Sequence, residues 1–247
     1  VKFDPFTGRR LACASSANFG MKGAGRLWIF EHMQPRHPPQ MYLDGTVESN
    51  PTVLAAAMAD GTVAIFDLKV PSVPVVMRKE HQRECSGIDW NAVSKDRLLS
   101  TAYDGSIKIA SWSPREANLI VSAGSDCSIR LWDARAHNAM AQVLSRAHDN
   151  EILSVDWNKW DPMQFATGSV DLTVRIWDWR MSSSPATTLR GHHRAVKKVK
   201  WSPFSGGVLF SVGYDMMMRV WDLKSLNPMV GMWEGHDEFV TGIGIKW

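Results

Sequence analysis

Residues 191–222 read GHHRAVKKVKWSPFSGGVLFSVGYDMMMRVWD. The stretch opens on Gly-His and closes on Trp-Asp, with three short apolar runs separated by a Ser-Pro turn and a turn at Asp215. The same order recurs along the chain. Turn aspartates stand at Asp60, Asp104, Asp126, Asp171 and Asp215, and tryptophans end the preceding first run at Trp90, Trp112, Trp157 and Trp201. An aromatic-Asp pair closes the unit at Phe66-Asp67, Trp132-Asp133, Trp177-Asp178 and Trp221-Asp222. A repeat of this size cannot bury its apolar faces alone and must stack on copies of itself. Short runs bounded by turns, at this period, form the four-stranded blade of a β-propeller.

The expected fold class is therefore all-β, a WD-repeat β-propeller, with residues 1–247 forming a single domain. Hydrophobic residues make up 45% of the chain, enough for a buried core. Seven of its 12 tryptophans (Trp90, Trp112, Trp132, Trp157, Trp177, Trp201 and Trp221) are locked to the repeat. They read as packing residues, not as a ligand cage.

The spacing also locates a fault. Successive turn aspartates are 44, 22, 45 and 44 residues apart, and the blade histidines His81, His148, His192 and His236 are 67, 44 and 44 apart. One interval lacks half a blade, and the loss falls between Ile109 and Trp112. Residues 104–126 cannot supply two blades, so either a break at 109/110 or a hybrid blade with an open sheet edge is expected. Such an edge is a template for pairing with another chain. The first strand of the second blade, within MYLDGTVESNP, is poorly marked. Residues 235–247 are expected to begin a further blade with one strand. The seam that would close the ring is incomplete at both termini.

The blade histidines invite reading as ligands or bases. The better reading is structural: a buried imidazole gives one N–H to the turn aspartate and meets the third-strand tryptophan through the rest of a polar network. The expected pairs are His81 with Asp104, His148 with Asp171 and His192 with Asp215, while Asp126 lacks its histidine. Neither the His148/Glu151 spacing nor adjacent His192 and His193 makes a metal site without further ligands, and Cys13, Cys85 and Cys127 match no zinc spacing. No nucleophile elbow, phosphate loop or paired-carboxylate motif is present. No catalytic residue, metal or cofactor is expected, and the chain is not read as an enzyme.

Function must then reside on a surface. The position three residues after each blade histidine marks the rim where the Gly-His loops open: Glu84, Glu151, Ala195 and Phe239. Two carboxylates and an aromatic suit a peptide with a cationic side chain and an apolar side. The competing reading is that these carboxylates are merely solvated. Net charge is +3, and the one basic run, RAVKKVK at 194–200, lies on a predicted strand without base-stacking aromatics. A solvated strand edge is a better reading than a nucleic-acid patch. No signal peptide opens the chain and no apolar run is long enough to span a bilayer, so direct membrane insertion is not expected. A reduced compartment, cytosolic or nuclear, is expected from the cysteine usage.

Four segments carry the reading further. The N-terminal LACASSANFGMKGAGRLWIFE resembles the first blade of the peroxin-7 family, the receptors for the type 2 peroxisomal targeting signal. HQRECSGIDWN with DGSIKI, AHDNEILSVDWNKWD with TGSVD, and AVKKVKWSPF followed by YDMMMRVWD and HDEF are similar to the same family. The resemblance implies a propeller that has seven blades in the family. It also implies a cytosolic receptor cycling to the peroxisome, which binds an N-terminal helical signal of the form [RK]-[LVI]-x5-[HQ]-[LA]. The implied partners are cargo proteins bearing that signal, an import co-receptor and the peroxisomal docking complex. In such receptors acidic residues on the channel-opening face meet the signal's basic residue. Glu84 in HQRE and Asp44 in LDG fit that role, and the rim column adds Glu151 and Phe239. A generic WD-repeat scaffold of a nuclear or ubiquitin-ligase assembly is the alternative, although it would not need the Gly-rich first blade.

Overall fold

Short alternating runs between turns favour strands over helices. In the computed structural model every regular element among the described residues is a strand paired antiparallel with its sequence neighbour. The structure describes residues 2–3, 10–15, 26–31, 46–47, 50–67, 69–70, 73–105, 107–136, 139–181, 184–243 and 245. They fall into two compact units. One comprises Val1–Trp90, Lys95–Asp104 and Gly244–Trp247, and the other Asn91–Ser94 and Gly105–Ile243.

In the first unit, β1 (Lys2–Phe3), β2 (Arg10–Ser15) and β3 (Arg26–Glu31) make a three-stranded sheet. A four-stranded sheet follows: β4 (Thr46–Val47), β5 (Asn50–Ala57), β6 (Thr62–Asp67) and β7 (Val76–Lys79). The weakly patterned start of this blade yields only the two-residue β4. Leu54, Ala64 and Phe66 form its small core. β8 (Cys85–Trp90) and β9 (Leu98–Ala102) then pair with each other alone.

The second unit holds three four-stranded sheets. They are β10 (Ile107–Trp112) to β13 (Met140–Leu144), with β11 (Leu119–Gly124) and β12 (Ile129–Asp133) between them; β14 (Ile152–Trp157), β15 (Gln164–Ser169), β16 (Thr173–Asp178) and β17 (Thr187–Arg190); and β18 (Val196–Trp201), β19 (Val208–Gly213), β20 (Met217–Asp222) and β21 (Met229–Glu234). The core lies between successive sheets. Val121, Ile129, Leu131, Ile152, Trp157 and Phe165 fill one layer, and Val174, Ile176, Val196, Trp201, Leu209 and Trp221 fill the next. Side chains of one sheet also hold the backbone of the next. The Val199 N–H donates to Ser154 Oγ at 3.1 Å and the Trp201 N–H to Asp156 Oδ2 at 2.7 Å. Asp156 also pairs with Lys200, the last cation of the basic run, at 3.1 Å.

The fault resolves as a hybrid. β10 runs unbroken through 109/110, pairing Ile109 with Ala123 and Ala110 with Ser122. Its first residues follow a turn aspartate, as third strands do, yet the whole strand serves as the first strand of the next sheet. Its register is that of the other first strands. Each starts five residues before its tryptophan and carries a bulge at its start: between Cys85 and Gly87, Ile107 and Ile109, Ile152 and Ser154, and Val196 and Lys198. The lost half-blade thus leaves a legal blade beginning at Ile107 and strips β8–β9 of third and fourth strands. One expectation fails at the other end. The described residues from 235 onward form no strand, because their backbone gains no ladder: Val240 is held by one bond from its N–H to the Gly213 carbonyl.

Candidate functional site

Four of the turn aspartates hold their hairpins first by themselves. The carboxylates of Asp60, Asp126, Asp171 and Asp215 accept the N–H two residues on, from Thr62, Ser128, Thr173 and Met217. Such a side-chain bond mimics a backbone turn. It lets the following residue take a left-handed conformation at Gly61, Cys127, Leu172 and Met216, three of which are not glycine.

The histidines add a second layer. His148 Nδ1 lies 2.8 Å from Asp171 Oδ2, and its Nε2 lies 2.7 Å from Thr167 Oγ1, which also accepts the Trp177 indole N–H at 2.8 Å. His192 repeats the chain, 2.9 Å from Asp215 Oδ2 and 2.7 Å from Ser211 Oγ, with Trp221 donating to Ser211 at 2.8 Å. His81 reaches Asp104 at 3.0 Å and Ser100 at 2.9 Å, but β8–β9 has no third strand to supply the tryptophan. At Asp126 no described histidine arrives. Trp132 still donates to Ser122 at 2.7 Å, and the carboxylate pairs with Arg130, one of whose guanidinium nitrogens is buried without a partner.

At His148 and His192 a carboxylate beside Nδ1 fixes the neutral tautomer, so these two imidazoles are structural donors and not free bases. Burial drives both below the ordinary histidine range against the pull of their aspartates, His192 to about 4. Burial alone would raise Asp215. His192, the His193 N–H and Arg219 together outweigh it and hold the carboxyl low. The sign for stability follows. Because the folded chain resists protonating His192, its stabilisation is complete above the ordinary pKa of 6.5 and is lost as pH falls toward 4. At about 1.4 kcal/mol per pH unit for one such group, the fall amounts to roughly 2–3 kcal/mol, with His148 adding in the same direction. Urea unfolding at pH 7.5 and 4.5 should show this loss, whereas equal midpoints would contradict buried neutral imidazoles.

Sequence reasoning missed three partners in this network. An arginine stands four residues after three of the aspartates, and Arg130, Arg175 and Arg219 each reach back to Asp126, Asp171 and Asp215. A serine or threonine stands four residues before each: Ser122, Thr167 and Ser211. The signal was present as Ser/Thr-x3-Asp-x3-Arg.

The rim residues lie where the network fixes the loops. The carbonyls of Glu84, Glu151 and Ala195 accept backbone N–H groups from Tyr103, Val170 and Tyr214, each the residue before a turn aspartate. Glu84, in the first unit, is half-buried, and its carboxylate has no hydrogen-bond or ionic partner among the described residues. Glu151, in the second, is taken: Lys108 Nζ lies 2.7 Å from its Oε1. Phe239 is exposed and its ring packs on Tyr214 with centroids 4.9 Å apart, an aromatic neighbour not expected from sequence. Asp44 lies outside the described residues. Among the described residues no group of three His, Cys, Asp or Glu side chains could hold a metal, and no helix is long and apolar enough to cross a membrane.

Comparison with known proteins sharpens the assignment. The family model of the EIPR1 beta-propeller matches residues 100–221. Relatives named peroxisomal targeting signal 2 receptor align along almost the whole chain. The Dictyostelium discoideum protein is 38% identical across 98% of this chain and 86% of its own length. The Mus musculus protein is 36% identical across 100% and 86%, and the Homo sapiens protein 36% across 98% and 84%. The first of these alignments runs over 277 positions, 30 more than the 247 residues here, so at least 30 positions of that relative face a gap. A chain lacking half a blade requires such a gap. With identity at this level over nearly its full length, on a WD-repeat propeller scaffold, the chain belongs to the family of peroxisomal targeting signal 2 receptors.

Proposed function

We propose that the chain binds the N-terminal type 2 targeting signal of peroxisomal matrix proteins in the cytosol, together with a co-receptor, and hands the cargo to the peroxisomal docking complex. The observation that carries this reading is the near full-length similarity to proteins named as receptors for that signal. The rim supports it chemically. In the first unit Glu84 offers an unpaired carboxylate to a basic residue, and in the second Phe239 with Tyr214 offers an apolar surface. Asp44 is a weaker candidate for the same basic residue. Glu151 is assigned no cation in the chain as it stands, because Lys108 already neutralises it.

The test uses a peptide of the form [RK]-[LVI]-x5-[HQ]-[LA] and a version with norleucine for its basic residue. Both are titrated with co-receptor present. The basic peptide should bind at least about tenfold tighter, since a charge-assisted contact contributes roughly 1.5–3 kcal/mol. Failure to bind either peptide would return the chain to the generic WD-repeat scaffold class.

A further inference from the structure

Lys108 holds two positions in the repeat at once. It stands four residues after Asp104, where the four-stranded sheets of the second unit carry Arg130, Arg175 and Arg219 on a third strand. In the fold it is instead the second residue of β10, a first strand, at the bulge between Ile107 and Ile109. A bulged residue leaves the pairing ladder and its side chain is re-aimed. Here it is aimed at the rim: Lys108 Nζ meets Glu151 Oε1 at 2.7 Å, with 22% and 29% of the two side chains exposed. The corresponding residues of the other bulges are Ser86, Leu153 and Lys197, so the position is not reserved for a cation. Tyr214 lies close by: burial pushes its phenol up, and the charge of Glu151 adds to that.

We propose that Lys108 is a specificity-determining residue, which occupies the Glu151 carboxylate so that this part of the rim presents the neutral aromatic surface of Tyr214 and Phe239 instead of an acidic one. The lost half-blade therefore changes more than the strand count. It replaces whatever first-strand residue would face Glu151 by a third-strand cation, and so removes one acidic contact from the rim. Within the second unit, apolar side chains are then met at Tyr214 and Phe239, with the Glu151 carboxylate already occupied. The inference rests on the receptor reading for its ligand, but the ion pair can be tested without any ligand.

Lys108→Met frees Glu151 without adding polarity, and Lys108→Met/Glu151→Gln restores local neutrality. The preference for the basic signal peptide over its norleucine version should rise at least about fivefold in Lys108→Met and return to the wild-type value in the double variant. An unchanged preference in Lys108→Met, with a wild-type chain that does bind the peptide, overturns the inference and leaves the receptor reading standing. No binding by any of the three proteins overturns the receptor reading. The ligand-free arm decides the ion pair itself: acylation of the Lys108 amine, followed by mass spectrometry, should be severalfold slower in wild type than in Glu151→Gln. Equal rates would overturn the inference whatever the peptides do.

Discussion

Replacing Asp215 by alanine should destabilise the chain by about 3–5 kcal/mol, because it strands a buried cation. Arg219 is 2% exposed and its Nη1 lies 2.7 Å from Asp215 Oδ2. The same carboxylate takes His192 Nδ1, and its other oxygen accepts the Met217 N–H that sets the turn. Alanine removes all three at once and leaves the guanidinium without its counter-charge in a low-dielectric site. Asp126→Ala removes the same turn and arginine contacts where no described histidine reaches the carboxylate and Arg130 is 20% exposed, so its ion pair counts for no more than about 1 kcal/mol. The two variants share backbone geometry and differ in burial and in the histidine. Urea midpoints should therefore fall far more for Asp215→Ala, a loss that is a large share of the 5–15 kcal/mol typical of a folded domain. Equal losses would mean that the histidine network contributes nothing beyond the turn.

The repeat was legible because it is written in three independent registers, and an aspartate, a tryptophan and a closing aromatic-Asp rarely fall in step without a common structure. The fault was legible for the same reason: a 22-residue interval between Asp104 and Asp126 has no place in a 44-residue period. The way the chain accommodates it was not. Nothing in IKIASW says whether it behaves as a third strand or a first one, since both alternate in the same manner. Pairing with β11, which only tertiary structure supplies, makes that choice and turns Lys108 toward Glu151. Residues 235–243 show the converse. Their sequence repeats the start of a blade, but strand pattern without a ladder to join gives no strand. At the rim, spacing found the column and could not tell a free carboxylate from a paired one. Glu84 and Glu151 stand identically in the repeat, and only the bulged lysine separates them.

Glu84→Lys is the substitution with the largest expected effect on binding. The loop carrying Glu84 is held through its carbonyl, which accepts the Tyr103 N–H, so the side chain can be changed without releasing the loop. Reversing its charge replaces attraction by repulsion toward the signal's basic residue, a change that alters specificity as well as affinity. The direct measurement is a titration of a labelled type 2 signal peptide, with co-receptor, into the wild-type chain and into Glu84→Lys, alongside their thermal unfolding. Wild type should bind, and Glu84→Lys should bind at least about tenfold more weakly with its unfolding temperature nearly unchanged. Equal binding by the two would remove the signal from the Glu84 rim, and no binding by wild type would contradict the receptor function itself.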